Sequence, residues 1–438
     1  MNLVFENKDK QLNLHSLEDQ KKLNGPRVCV SPFANRLFVT SNEQNTIFQN
    51  PALSLIKYNN NEFKVNRYSI EEIPENCKYI IPVGVHESPI FWAGYNEGGS
   101  SIFKLINPIY LKHLQEGRAY IMFDNTLEGY ETPALYDFLY SEALKYNIPI
   151  KNIIYLSGNS LVEQRVEEWS KRSGNPAPTV IGYTHFEFDM YMNSQDFNNS
   201  GQFIPSFDDH WTYKSNNIQA VKAYNCLNRK PRNHRIALFD RLFHSGLLPD
   251  GLVSMNSWEK VTNEHLIKVD GHSPDLIDLE HSREYTPMRW DGTDNMDNAS
   301  EKINRLNEKS MLNSFLTVVS EAQYDDSQGS TFLSEKTFKP IACSHPFIIY
   351  GGKYSLRELH KMGYVTFNNL IDESYDELDS KERLDAIIHI LQDFSSNPDK
   401  MQWLDWLKER VQYNKRVLEF NSLFNPPNGF HKLNKLCI

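Results

Sequence analysis

Three groups of residues in the second half of this chain have the types and spacing to hold an anion and a sugar. The first is "CLNRKPRNHRIALFDRL", which sets Arg229, Lys230, Arg232, His234 and Arg235 between an apolar run and a helical one. Guanidinium forks bind phosphate oxygens in pairs, and the free N–H groups of a helix start favour an anion. That run reads as a phosphate or diphosphate clamp; a solvated basic loop with Arg235 paired to Asp240 is the structural alternative. The second is Glu321, a carboxylate at the exit of the apolar run "FLTVVSE", where a parallel sheet borders its ligand crevice. The third is "STFLSEKTFKPIACSHPFIIYGG", in which Ser334 is a good N-cap and Glu335 and Lys336 occupy the first helical turn. A carboxylate there can accept hydrogen bonds from the two hydroxyls of a ribose, and the adjacent lysine can reach a phosphate. The structural alternative is a surface pair between Glu335 and Lys339, worth roughly 0.2–0.5 kcal/mol, which leaves Lys339 a structural charge.

Such residues need a sheet whose carboxyl edge gathers them. The runs "RVCVSPF", "KYIIPVGV", "AYIMFDN", "NIIYLSGN" and "PTVIGYTHF" in the first half read as buried strands. Helical patterns lie between some of them, one being "SLVEQRVEEWSKRSG" with Ser160 as cap and Gly174 as stop. After an irregular Asn-, Ser- and Asp-rich stretch over 193–217, the alternation restarts with "AVKAYNCLN", "GLVSMN", "SFLTVVSE", "PFIIYGG" and "YVTF" as strands. Alternation of this kind predicts βαβ units around parallel sheets. The expected fold is α/β, with two Rossmann-like domains facing across a cleft and long C-terminal helices. The expected division is 1–215 and 216–438.

The chain has 438 residues, 40% of them hydrophobic, enough for two cores. No stretch of about 18 apolar residues is present, so a transmembrane segment is not expected. Five scattered cysteines without a C-x-x-C pair give no metal or disulfide pattern and point to a reducing cytosol. A net charge of -10 counts against a polyanion partner, although a local basic cluster overrides such a field. The amphipathic tail "MQWLDWLKERVQYNKRVLEF" is expected to pack back on the protein, with attachment to a membrane surface or partner helix as the alternative.

The segment "FLTVVSEAQYDDSQGSTFLSEKTFKPIACSHPFIIYGG" resembles the nucleotide-sugar-binding segment of α1,3-fucosyltransferases. In that family a strand ending in Phe-Glu-Asn leads through a loop to Thr-Glu-Lys, a helix, and a Pro-Val strand ending in Gly. This chain keeps the glutamate (Glu321), the Glu-Lys pair (Glu335, Lys336) and the segment from Pro346 to Gly351, but has Ala322 in place of asparagine and a longer loop. The basic run is also similar to that family's upstream segment. The resemblance implies a GT-B glycosyltransferase with a nucleotide-sugar donor, as co-substrate, in the C-terminal domain, and the N-terminal domain on the acceptor side. It further implies Glu335 on the ribose, Lys336 on the phosphate, and an arginine of the basic loop, Arg229 or Arg235, on the diphosphate. Arg232, Glu321 and Ser334 complete the expected donor site.

GT-B enzymes generally neutralise the leaving group with cationic side chains and helix ends, so no essential metal or cofactor is expected; Asp325 and Asp326 come nearest to a D-x-D. If transfer inverts the sugar, a general base must come from the first domain. Asp124 and Glu128 rank first because two acids directly follow a buried strand. His86, Glu87, His185 and Glu187 are further candidates, and Gly158 and Asn159 could join an acceptor pocket. The expected acceptor is a surface glycan or lipid-linked saccharide. Two other readings stay open: a phage-type glycosyltransferase acting on hydroxymethylated DNA, and an inactive nucleotide-binding regulatory protein.

Overall fold

The computed structural model describes residues 2–4, 66–68, 73–85, 95, 102–129, 131–199, 204–228, 230–258, 279–286, 288, 306, 308–324, 331–423 and 430–436. The expected strand "RVCVSPF" lies outside them. Internal contacts divide the chain into two units, Met1–His185 with Leu423–Ile438, and Phe186–Ser422. Residues 186–215, assigned from sequence to the first domain, group with the second unit.

In the first unit, β1 (Asn2–Val4), β2 (Asn66–Tyr68), β3 (Tyr79–Gly84), β4 (Ala119–Asn125), β5 (Ile153–Ser157) and β6 (Thr179–Gly182) form one sheet in the order β2-β1-β3-β4-β5-β6. Every pairing is parallel. β3, β4 and β5 are buried along their whole length, which is why their sequences run apolar without alternating. Helix α1 (Val162–Ser173) buries Val162, Val166 and Trp169, the i, i+4, i+7 face of its sequence. Gly174 ends it at φ 72°, a left-handed conformation suited to glycine, but Leu161 rather than Ser160 is its N-cap.

In the second unit, β7 (Lys222–Leu227), β8 (Gly251–Ser254), β9 (Ser314–Ser320) and β10 (Phe347–Tyr350) form a parallel sheet in the order β10-β9-β7-β8. The two sheets share a doubly wound logic: the first strand has its successor on one side and the later strands on the other. The α/β expectation with two parallel sheets therefore holds.

The stretch over 193–217 is not an irregular connection, because α2 (His185–Asn199) and α3 (Phe207–Asn216) occupy most of it. α3 starts on a reciprocal capping box, in which Ser206 Oγ accepts from the Asp209 N–H and Asp209 accepts from the Ser206 N–H. "YVTF" forms no strand: the Asn414 side chain accepts from Val365 N at 2.9 Å and donates to Val365 O at 2.7 Å, replacing a ladder partner. Asn414 lies on the third of the tail helices Ser380–Ser396, Lys400–Trp406, Lys408–Leu423 and Phe430–Leu436. No helix among the described residues is long and apolar enough to cross a membrane.

Candidate functional site

A doubly wound sheet binds ligands outside the carboxyl ends of its strands, where the strand order reverses. In the second unit that place is between β7 and β9. β7 runs into Asn228, whose N–H donates to Ser254 O and whose buried Oδ1 has no hydrogen-bond partner among the described residues. Arg229 lies outside the described residues. Lys230 is exposed, and the chain turns into helix α4 (Asn233–His244) with Arg232 as its N-cap.

The basic run does not fan out into solvent; it is sewn to the exit of β9. Arg232 Nη1 donates to Ala322 O. His234 Nε2 lies 2.9 Å from Glu321 O, the geometry of an Nε2–H donor. Arg235 Nη2 reaches Glu321 O at 3.0 Å and Ser320 O at 3.3 Å, while its Nη1 reaches Lys230 O at 3.3 Å. Burial, with Arg232 adding to it, lowers the Arg235 pKa to about 10 against the opposing pull of Glu321 and Glu335, so the guanidinium is charged at neutral pH. Its Nε is buried without a hydrogen-bond partner among the described residues. The pairing of Arg235 with Asp240 weighed from sequence is not made: Asp240 accepts from Ser282 Oγ and lies 3.5 Å from His244 Nε2.

Glu321 is fully buried and acts as a hub. Its Oε1 accepts from Ser334 N at 3.0 Å and Thr337 Oγ1 at 2.6 Å, and its Oε2 from Ser334 Oγ and from Ala322 N at 2.9 Å. One carboxylate thus ties the end of β9 to the start of helix α5 (Glu335–Ala342). Gly351 permits this close packing, because a Cβ there would meet Glu321 Cβ and Cγ at 3.1 Å. Ser334 caps α5 as its sequence position implies, accepting from the Lys336 N–H.

Glu335 and Lys336 stand at the mouth of α5, paired at 2.6 Å. Burial alone would raise the Glu335 pKa, but Lys336 and Lys339 outweigh it and hold the carboxyl below its usual value. The pair of Glu335 with Lys339 weighed from sequence is replaced by this adjacent one, and Lys339 is no surface charge: it is 8% exposed. The second unit therefore brings Arg232, Arg235, Glu321, Ser334, Glu335 and Lys336 to one sheet edge. Arg232, Arg235 and Glu321 brace the frame, while Glu335 and Lys336 carry charge at its opening.

In the first unit, β4 delivers Asp124, which is fully buried with Oδ1 accepting from Thr126 N at 3.0 Å and Thr126 Oγ1 at 2.7 Å. Such a side chain stabilises the turn that follows the strand. Glu128 is half-buried, and its carbonyl accepts from Gly158 N at 2.9 Å. Glu187 belongs to α2 in the second unit, where it accepts from Tyr364 Oη at 2.6 Å and Asn421 Nδ2 at 2.8 Å, a structural role. His185 opens α2 rather than ending a strand. His86, Glu87, Asp325 and Asp326 lie outside the described residues. Among those described, no three His, Cys, Asp or Glu side chains group as metal ligands.

Sequence reasoning passed over Glu131. It is 2% exposed, and Asn159 Nδ2 donates to its Oε1 at 2.8 Å. Burial pushes its pKa up to about 7, against hydrogen bonds from Ser157 and Asn159 and the charge of Arg165. The signal in "NTLEGYETP" was a third acid beside a helix start, which looks like an ordinary macrodipole charge. A carboxyl whose folded pKa lies above its unfolded one stabilises the fold below the unfolded value of 4.5, and that contribution is lost as pH rises through about 7. Glu131→Gln keeps the Asn159 bond and is expected to stabilise the chain at pH 8 by on the order of 2–3 kcal/mol, with little change at pH 4.5. Urea unfolding of both proteins at the two pH values measures this; a gap that did not grow with pH would refute it.

No protein-family model and no curated protein matches the chain. Among solved structures it is similar to that of an α,α-trehalose-phosphate synthase (UDP-forming) from Burkholderia vietnamiensis. The identity is 11%, 82% of this chain and 72% of that chain are covered, and the TM-score is 0.39.

Proposed function

We propose that the chain is a GT-B glycosyltransferase that moves a sugar from a nucleotide-sugar donor to a hydroxyl acceptor, and that the second unit holds the donor. The observation that carries this reading is the Glu335–Lys336 pair, set at a capped helix start beside the β7/β9 reversal point. The resemblance of the same segment to α1,3-fucosyltransferases supports it.

In this mechanism the Glu335 carboxylate accepts hydrogen bonds from the ribose hydroxyls. Lys336 and the positive end of the α5 dipole neutralise the diphosphate as it departs, supplying fixed charge where negative charge develops. The braces from Arg232 and Arg235 to the β9 exit keep the opening preorganised. An arginine of the basic loop, Arg229 or Arg235 through its unengaged Nε, adds to the diphosphate contacts. Glu128, half-buried after β4 in the first unit, is the general base of choice for the acceptor hydroxyl; Asp124 positions the turn that carries it. The acceptor class that fits is a glycan or lipid-linked saccharide. No essential metal takes part.

A thermal-shift screen of nucleoside diphosphates and their sugars tests the donor site, since a ligand specific to the folded state raises its melting temperature. Glu335→Ala and Lys336→Ala each remove a charge-assisted hydrogen bond, worth about 1.5–3 kcal/mol, and are each expected to weaken binding tenfold or more. Both variants keeping the full shift would sink the assignment. Labelled-sugar transfer offered to oligosaccharides and to hydroxymethylated DNA separates the acceptors. Binding without transfer or donor hydrolysis would turn the reading toward a regulatory protein.

A further inference from the structure

Lys339 lies one turn into α5, four residues after Glu335, and is more than nine-tenths buried. Its ammonium makes no hydrogen bond or ion pair among the described residues, although Glu335, Lys336 and Asp189 of α2 all act on it electrostatically. A lysine in this position normally finds a carboxylate or is replaced by an apolar residue, because a buried charge is costly without a partner. Helical side chains lean toward the N-terminus, so Lys339 covers the turn that carries Glu335 and is directed at the mouth of the helix. Glu335 is already engaged by Lys336 at 2.6 Å, and Arg235 spends both Nη groups on backbone carbonyls. Among the described residues, the Lys339 ammonium and the single Nε of Arg235 are two of the donors left unspent at this edge.

We infer that Lys339 supplies the second cation of the diphosphate grip, so that Lys336 at the helix mouth and Lys339 one turn behind it take the two phosphoryl groups of a nucleoside diphosphate. This rests on the donor-site reading above and reverses the roles that the sequence suggests for Lys339 and Arg235. An ammonium without a direct partner among the described residues, on a buried side chain, is what an anion site looks like before its ligand arrives: the ligand supplies the contact that those residues do not make. Burial lowers the Lys339 pKa to about 8, with the Glu335 carboxylate opposing the change, so the group is charged at neutral pH. A monophosphate reaches only one of the two cations, which makes the site selective for the diphosphate.

The test is isothermal titration of the full chain with guanosine and uridine 5′-diphosphates and the corresponding monophosphates. Lys339→Met keeps the unbranched apolar stem and removes the charge from a buried side chain, so its melting temperature is expected to equal or exceed that of the wild type. For a diphosphate that binds the wild type, Lys339→Met is expected to bind tenfold or more weakly, with monophosphate affinity changed less than threefold. A merely structural lysine would not alter that ratio. If the wild type binds a diphosphate and Lys339→Met binds it equally, the inference is wrong and the donor site stands. If the wild type binds no diphosphate, both fall.

Discussion

Glu321→Ala is expected to destabilise the second unit by about 3–5 kcal/mol, the loss that follows when a buried, fully hydrogen-bonded carboxylate is deleted. The residue is inaccessible to solvent and accepts four hydrogen bonds, from Ser334 N, Ser334 Oγ, Thr337 Oγ1 and Ala322 N. Removing it strands two backbone N–H groups and two hydroxyls where water cannot easily replace the carboxylate. It also leaves Arg235 without one of the two carboxylates that oppose its desolvation. Glu321→Gln should cost less, because the amide oxygen still accepts while the amide nitrogen faces donors. Urea unfolding followed by far-UV circular dichroism gives the difference; a loss under about 1 kcal/mol for alanine would mean that the hub does not hold the strand exit to α5. The same variant is expected to lose nucleotide binding along with stability, which separates it from Lys336→Ala, where binding alone should fall.

Acid should destabilise the second unit steeply below pH 6.5. His210 and His345 are both buried, with ring centres 5.0 Å apart. Each is built into a network that suits one neutral tautomer. His210 Nε2 lies 2.8 Å from Cys343 O while its Nδ1 lies 2.9 Å from Lys214 Nζ. His345 Nε2 lies 2.9 Å from Ser314 O and its Nδ1 3.0 Å from Thr317 Oγ1. Burial first, and the nearby Lys214 second, push both histidines well below their ordinary 6.5. Lys214, also buried, is itself lowered by desolvation.

The sign follows from linkage. Below pH 6.5 the unfolded chain binds protons that the folded rings refuse, so stability falls by about 1.4 kcal/mol per pH unit for each histidine, down to the folded pKa. Two histidines together give about 2.8 kcal/mol per unit. Glu131 works the other way over the same range, stabilising the first unit as pH falls toward 4.5. Unfolding free energies at pH 7, 6 and 5 should show the slope, and His345→Gln should roughly halve it. An unchanged slope in that variant would show that another group is responsible.

How far the sequence could be read depended on the kind of signal. Strands β3, β4, β5, β9 and β10 were legible because strands covered on both faces are written as near-continuous apolar runs. Helices α2 and α3 were not. Their Asn, Asp and Ser content reads as loop when taken residue by residue, and the capping box of Ser206 and Asp209 is what makes α3 start. "YVTF" had the composition of a strand but met a helix side chain, Asn414, instead of another strand.

By itself the sequence determined the α/β class, the parallel sheets, and the position of Glu335 and Lys336 in a capped first turn. These are local matters: period, cap and turn residues act over a few positions, so they survive without knowledge of distant neighbours. Only the tertiary structure decided what each charge faces. The arginines of the basic run look alike in sequence, yet the β9 exit takes the guanidinium groups of Arg232 and Arg235 for its carbonyls. Glu321 looks like a strand-exit charge and is a buried hub, whereas Lys339 looks like a surface charge and is a buried side chain with no hydrogen bond or ion pair of its ammonium among the described residues. The direction and desolvation of a side chain depend on residues far away in the chain, and no spacing rule encodes them.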